Sequence, residues 1–231
     1  MGRRKRRQIV RISLGMSNAY IVTGDKQAIL IDTGKKGNEG RIAIALRSVD
    51  LSFGNIGLII LTHTHYDHCG SLKALKELTD AKILIHRDEA EFLKQGYCEF
   101  PKGTLWFSKA IAWIGRTMAK GMAKYPAASA DITIGERFGL SEFGIEGYIL
   151  PTPGHTSGSI SVILNDTHAI VGDTLFNIFR SSVFPPFANN REELLKSWRI
   201  LGSIGCEHYY PGHGEPFARD KFTRTYETKK K

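Results

Sequence analysis

Leu58-Ile59-Ile60-Leu61-Thr62-His63-Thr64-His65-Tyr66-Asp67-His68 runs from an unbroken apolar stretch into three imidazoles and a carboxylate. A short apolar run bounded by polar residues reads as a buried strand, and a strand that ends in such a cluster reads as one wall of a metal site. In extended backbone, side chains two apart point the same way, so His63, His65 and Asp67 are expected to converge. His68 then turns with the chain into a helix over Ser71–Leu78.

Three more candidates follow apolar runs. His155 lies in Leu150-Pro151-Thr152-Pro153-Gly154-His155-Thr156, where two prolines stiffen the approach and Gly154 permits a tight turn. Asp173 closes Ala169-Ile170-Val171-Gly172-Asp173, and His213 sits in Tyr209-Tyr210-Pro211-Gly212-His213-Gly214. Residues at strand ends, held by a rigid sheet, are frequent carriers of catalysis.

This ordered set resembles the metallo-β-lactamase superfamily. The early Asp motif is Ile31-Asp32-Thr33-Gly34, the HxHxDH signature is residues 63–68, and the later motifs fall on His155, Asp173 and His213. The resemblance implies an α/β fold, an αββα four-layer sandwich with the metals at one edge of its two sheets. It also implies a first metal on His63, His65 and His155, a second on Asp67, His68 and His213, and Asp173 bridging both. Asp32 is expected to orient the ligand loop from behind rather than to touch metal. Seven His and Asp groups without Cys exceed the four ligands of a structural zinc and point to a catalytic binuclear centre. Zinc is the first expectation; nitrogen and oxygen ligands also suit iron or manganese.

Such a centre implies hydrolysis by a metal-bridging hydroxide, with Asp67 orienting the nucleophile and carrying its proton. The superfamily's true lactamases generally lack a bridging Asp, so Asp173 argues against β-lactam substrates. The stretches 152–158 and 172–176 resemble glyoxalase II, a thioester hydrolase, although the chain ends soon after His213 without that enzyme's helical C-terminal domain. Acyl-homoserine lactonases place a tyrosine where this chain has Phe176. The leading expectation is a hydrolase of an ester, thioester or lactone. The alternatives are a phosphodiesterase or nuclease on the same metals, or a mononuclear iron dioxygenase of the persulfide type.

The 231 residues, 42% apolar and 24% charged, suit a single domain with a sizeable core. The net charge of +9 is concentrated in two basic tails, residues 1–7 and 219–231, which leave the body between them neutral. These tails are expected to be solvated, and nucleic acid is not favoured as a partner. Cys69, Cys98 and Cys206 are scattered and odd in number, expected to be reduced thiols in a cytoplasmic protein. No apolar run approaches the roughly 20 residues of a membrane span, and no secretion signal is evident. Short strands open the chain, and a helix is expected to begin at Asn190 with Glu193 completing a capping box.

The segment 96–130 reads as a helical insertion, with no acidic residue between Glu99 and Asp131. Phe107, Ile111, Ile114, Met118 and Met122 follow helical steps as one apolar stripe, with Lys109, Arg116, Lys120 and Lys124 opposite. Trp106 and Trp113 lie near the basic side. The stripe is expected to pack on the body or on a second subunit, to roof a substrate pocket, or to touch a membrane surface. As a lid, Trp106, Trp113 and Arg116, together with Phe176, would bind a small molecule carrying an apolar acyl or aromatic group.

Overall fold

The computed structural model describes residues 8–25, 27–118 and 124–230. The first sheet holds β1 (Ile9–Ser13), β2 (Asn18–Thr23), β3 (Ala28–Ile31), β4 (Ile56–Ile60), β5 (Lys82–His86) and β6 (Ile132–Ile134), side by side in that order. β1 to β3 form the expected antiparallel meander, and β3 to β6 run parallel. The second sheet holds β7 (Phe138–Gly139), β8 (Gly147–Pro151), β9 (Ile160–Leu164), β10 (His168–Asn177), β11 (His208–Gly214) and β12 (Phe217–Ala218), also in chain order. Only its β10–β11 pair is parallel.

Strand alternation sets the layers. Ile29, Ile31, Leu58 and Ile60 turn inward and meet Ile160, Val162 and Leu164 of the opposite sheet in one buried cluster. Leu30 and Ile59 turn outward, onto Ile42 and Leu46 of α1 (Glu39–Arg47) and Leu72 and Leu75 of α3 (Leu72–Leu78); the short α2 (Tyr66–Cys69) precedes α3 and α4 (Ala90–Gln95) follows β5. On the far side, Val171 and Tyr209 pack on Trp198 and Leu201 of α6 (Arg191–Ile204) and Phe222 of α7 (Arg219–Lys229). Helix, sheet, sheet and helix give the αββα sandwich. A strand apolar on both faces is what this layering requires, which explains the unbroken run before His63.

Three expectations need correction. Residues 219–229 are not a free tail but α7, with Phe222 and Thr225 buried. Burying a Phe side chain contributes about 1.5–3 kcal/mol, enough to hold a mostly polar helix against the body. Asn190 does cap α6, accepting from the N–H groups of Glu192 and Glu193 at 3.0 and 3.2 Å. The expected box is not completed, because the Asn190 N–H donates to the Gly154 carbonyl at 2.9 Å and the Glu193 carboxylate pairs with Lys196 at 2.7 Å.

The third correction concerns the insertion. α5 (Trp106–Met118) is helical as expected, but its buried face is Ser108, Ala112 and Gly115. Ile111 and Ile114 stand 47% and 48% exposed. Small residues face inward because the body comes close there: a Cβ at Gly115 would lie 2.8 Å from the Phe100 ring. Residues 1–7, Lys120 and Met122, and the side chains of Arg116 and Met118, lie outside the described set.

Candidate metal centre

The sites are built where strands of both sheets end along one edge. β4 ends at Ile60 and the chain bends at Thr62; His65 is extended (φ −66°, ψ 145°), and at Tyr66 the chain turns into α2. This turn overrides the expectation that Asp67 shares a side with His63 and His65. It divides the motif instead: His63 and His65 gather with His155 and Asp173, whereas Asp67 and His68 gather with His213. Asp173 also differs from expectation, since β10 runs on to Asn177 and places it mid-strand. Its register against β11 slips on both sides of Gly172, whose φ is +49°. That irregularity aims the carboxylate at the centre, and glycine is the residue suited to such backbone.

Imidazole nitrogens crowd the first cluster. His65 Nδ1 lies 3.0 Å from His63 Nε2 and 2.9 Å from His155 Nε2. Asp173 Oδ2 is 3.3 Å from Nε2 of both His155 and His213, and its Oδ1 is 3.3 Å from His68 Nε2. The carboxylate therefore spans the two clusters. Asp67 Oδ2 lies 3.5 Å from His213 Nε2 and 3.9 Å from His68 Nε2. A Cβ on Gly212 would sit 2.2 Å from Asp173 Oδ1, so only glycine leaves room beside His213.

Four of the five imidazoles are anchored through the nitrogen that points away from the centre. His63 Nδ1 meets Thr62 Oγ1 at 3.0 Å, and His68 Nδ1 meets Asp32 Oδ2 at 2.8 Å. His155 Nδ1 donates to the Phe187 carbonyl at 2.9 Å, and His213 Nδ1 to the Met16 carbonyl at 2.7 Å. Such contacts set tautomer and ring direction for metal ligands. Asp32 sits behind His68, also accepting from Thr62 N and Oγ1, both at 2.8 Å.

Burial pushes His63 and His65 well below the usual imidazole pKa, and His155 lower too; neighbouring imidazoles push the same way. That direction favours the neutral imidazole, the form that binds metal. Burial also acts to lower His68 and His213, but facing carboxylates, chiefly Asp173, outweigh it and raise both. Asp173 is held well below the carboxylate range: burial acts to raise it, and His213, His68 and His155 outweigh that. Its Oδ1 is nevertheless buried with no hydrogen-bond partner. A buried acceptor left unpaired is costly, and an array of converging lone pairs short of protons is what a cation resolves. The donor set thus fits divalent metal.

Glu89, which the sequence did not flag, is 1% exposed and ties the two ligand loops together. One oxygen accepts from Thr64 N at 3.0 Å and from the Thr64 hydroxyl; the other accepts from Gly158 N at 3.2 Å. The only sequence hint was its place just after β5. Cys69 proves to be core, donating to the Thr64 and His65 carbonyls at 3.4 and 3.3 Å, and all three cysteines are free thiols.

A cavity of about 260 Å³ opens over both clusters. Met16, Phe100, Pro101, Phe176, Ile178 and Phe187 wall it, and His65, Asp67, His155, Asp173 and His213 reach its surface. Phe176 stacks on His213 at 4.5 Å and 13°, as befits a residue at the floor. Trp106 and Trp113, expected in the pocket, are absent from its lining and are 85% and 66% exposed. They sit on the side of α5 opposite its buried small residues. Pro186 and Phe187 line the pocket, and Thr104 N donates to the Pro186 carbonyl at 2.8 Å, tying the insertion to this loop.

The metallo-beta-lactamase superfamily model matches residues 12–213, an interval that contains every one of these groups. A protein of Methanocaldococcus jannaschii named "probable metallo-hydrolase" is 31% identical over 204 residues, covering 86% of this chain and 88% of that protein. One of the same description from Streptococcus pyogenes serotype M6 is 30% identical over 203 residues, covering 85% and 78%. A metallo-beta-lactamase of Cronobacter sakazakii with a HARLDQ motif superposes with a TM-score of 0.70 at 16% identity, covering 96% of this chain and 88% of its own. That last likeness concerns the fold alone. With the edge-built His and Asp clusters and the sandwich beneath them, the chain belongs to the metallo-β-lactamase superfamily.

Proposed function

We propose that this protein is a binuclear metal-dependent hydrolase of an ester, thioester or lactone whose acyl or aromatic part is uncharged. The observation that carries this reading is the conjunction of two ligand clusters with an apolar cavity that has no Lys or Arg in its lining. Beyond the two ions, a phosphodiester would find no cationic side chain in this lining, only Phe100, Phe176 and Phe187 with Glu99 nearby. That disfavours the nuclease alternative. Two ligand groups rather than one likewise favour two ions over a single iron. The relatives named as metallo-hydrolases support hydrolysis as the reaction class.

Divalent cations, zinc by preference, would supply Lewis acidity and lower the pKa of a water to about 7. The chain's own residues set the rest. His63, His65 and His155 would hold one ion and Asp67, His68 and His213 the other, with Asp173 facing both. Asp67, at the cavity surface, would turn Oδ2 to the ion beside His68 and His213, which leaves Oδ1 to orient the attacking water, accept its proton and return it to the leaving group. Phe176 and Phe187 exclude bulk water and seat the apolar part of the substrate.

Metal analysis with a panel of p-nitrophenyl esters, thioesters, lactones and bis-p-nitrophenyl phosphate tests this. Two metal equivalents are expected, with turnover of esters or thioesters that improves as the acyl chain lengthens from acetyl. Phosphodiester cleavage without ester turnover would reverse the assignment, and one iron with oxygen uptake would reject hydrolysis.

A further inference from the structure

The exposed face of α5 calls for an occupant. Monomeric proteins rarely leave large apolar side chains contiguous in water. Here Trp106, Trp113, Ile111 and Ile114 stand 85%, 66%, 47% and 48% exposed on one helix. The patch adjoins the cavity: Phe100 packs beneath Gly115 and lines the pocket, and Phe107 meets Phe179 at 6.2 Å, next to the pocket residue Ile178. Ile178 and Met16, at the cavity, are themselves 52% and 49% exposed.

Charge decides what covers this face. Between residues 100 and 130 the chain has five Lys or Arg and no Asp or Glu. Lys102, Lys109 and Lys124 are exposed. Lys109 is three residues from Trp106 and four from Trp113, so it shares their side of the helix. A second copy docking on this face by two-fold symmetry would bring Lys109 toward its own counterpart, in a segment with no carboxylate to pair with it. An anionic lipid surface answers both properties, taking tryptophan and isoleucine at the headgroup boundary and drawing lysine to its charge.

We propose that α5 docks this protein on an anionic bilayer, seating Trp106, Trp113 and Ile114 in the interface beside the cavity rim. Substrate with an apolar group would then reach Phe100 and Phe176 from the lipid side. Docking does not depend on the hydrolytic assignment and is read without turnover.

The test is co-sedimentation of the metal-loaded full chain with phosphatidylcholine vesicles, with and without phosphatidylglycerol, alongside tryptophan emission. Trp198 is 0% exposed, so a blue shift reports Trp106 and Trp113. Binding is expected only to the anionic vesicles and should weaken with salt. The double variant Trp106→Ala/Trp113→Ala should bind roughly tenfold or more weakly, given the apolar area removed. Lys109→Glu should also bind more weakly, and each variant should keep the parent's thermal midpoint. No binding, equal binding to neutral vesicles, or unchanged affinity in both variants would overturn the proposal. So would a blue shift that follows protein concentration without lipid, with a dimer in sedimentation equilibrium.

Discussion

Asp32 does not line the cavity, yet its carboxylate holds both His68 and Thr62, and its own φ of +59° places it in backbone that L residues seldom adopt. Removing such a support typically weakens metal binding or activity by about 10–100-fold. Asp32→Ala should therefore lower metal affinity by that factor in titration against a competing chelator while far-ultraviolet dichroism is unchanged; equal affinity would refute its supporting role. Glu89 is a structural counterpart. Glu89→Ala leaves buried donors of Thr64 and Gly158 unpaired, each costing about 1–3 kcal/mol, so a clear fall in the thermal midpoint is expected. At this scale the seven His and Asp groups were legible because their residue types and order are distinctive. Glu89 was not, since a lone acid after a strand carries no pattern. Thr62, Met16 and Phe187 act partly through backbone or a common hydroxyl, for which sequence gives no mark.

Among the elements, strands apolar on both faces and the cap of α6 were readable from local chemistry. Asn190→Ala should cost about 1 kcal/mol, measurable by urea denaturation, because two N–H groups at the helix start lose their acceptor. The helical period of α5 was also legible, but its orientation was not. Periodicity identifies an apolar stripe, whereas tertiary fit at Phe100 decided that Ser108, Ala112 and Gly115 turn inward. α7 was missed for a similar reason: one buried Phe222 amid charged residues is too weak a pattern to distinguish a docked helix from a solvated tail. The split of the ligands at Tyr66 depends on one change of backbone conformation, which the extended reading of the motif did not anticipate.

For the molecule as a whole, no described helix is long and apolar enough to cross a membrane. Acid stability carries a separate signature away from the centre. His168 stacks on His208 at 5.3 Å, and burial, then the charge of His208, lowers its pKa. A histidine depressed in the fold takes up its proton more readily when unfolded. Its contribution is thus intact above the ordinary value of about 6.5 and is lost as pH falls through the folded value. His168→Gln should narrow the gap between thermal midpoints at pH 7.5 and 5.5; an identical gap would count against this linkage. The ligand groups themselves come from both halves of the sandwich, His63 to His68 from one and His155, Asp173 and His213 from the other. Ions held there would rivet the seam, and occupancy at a hundredfold above Kd is worth about 2.7 kcal/mol. Chelation should then hasten digestion by a nonspecific protease, and cells starved of metal should hold less of the protein at equal synthesis.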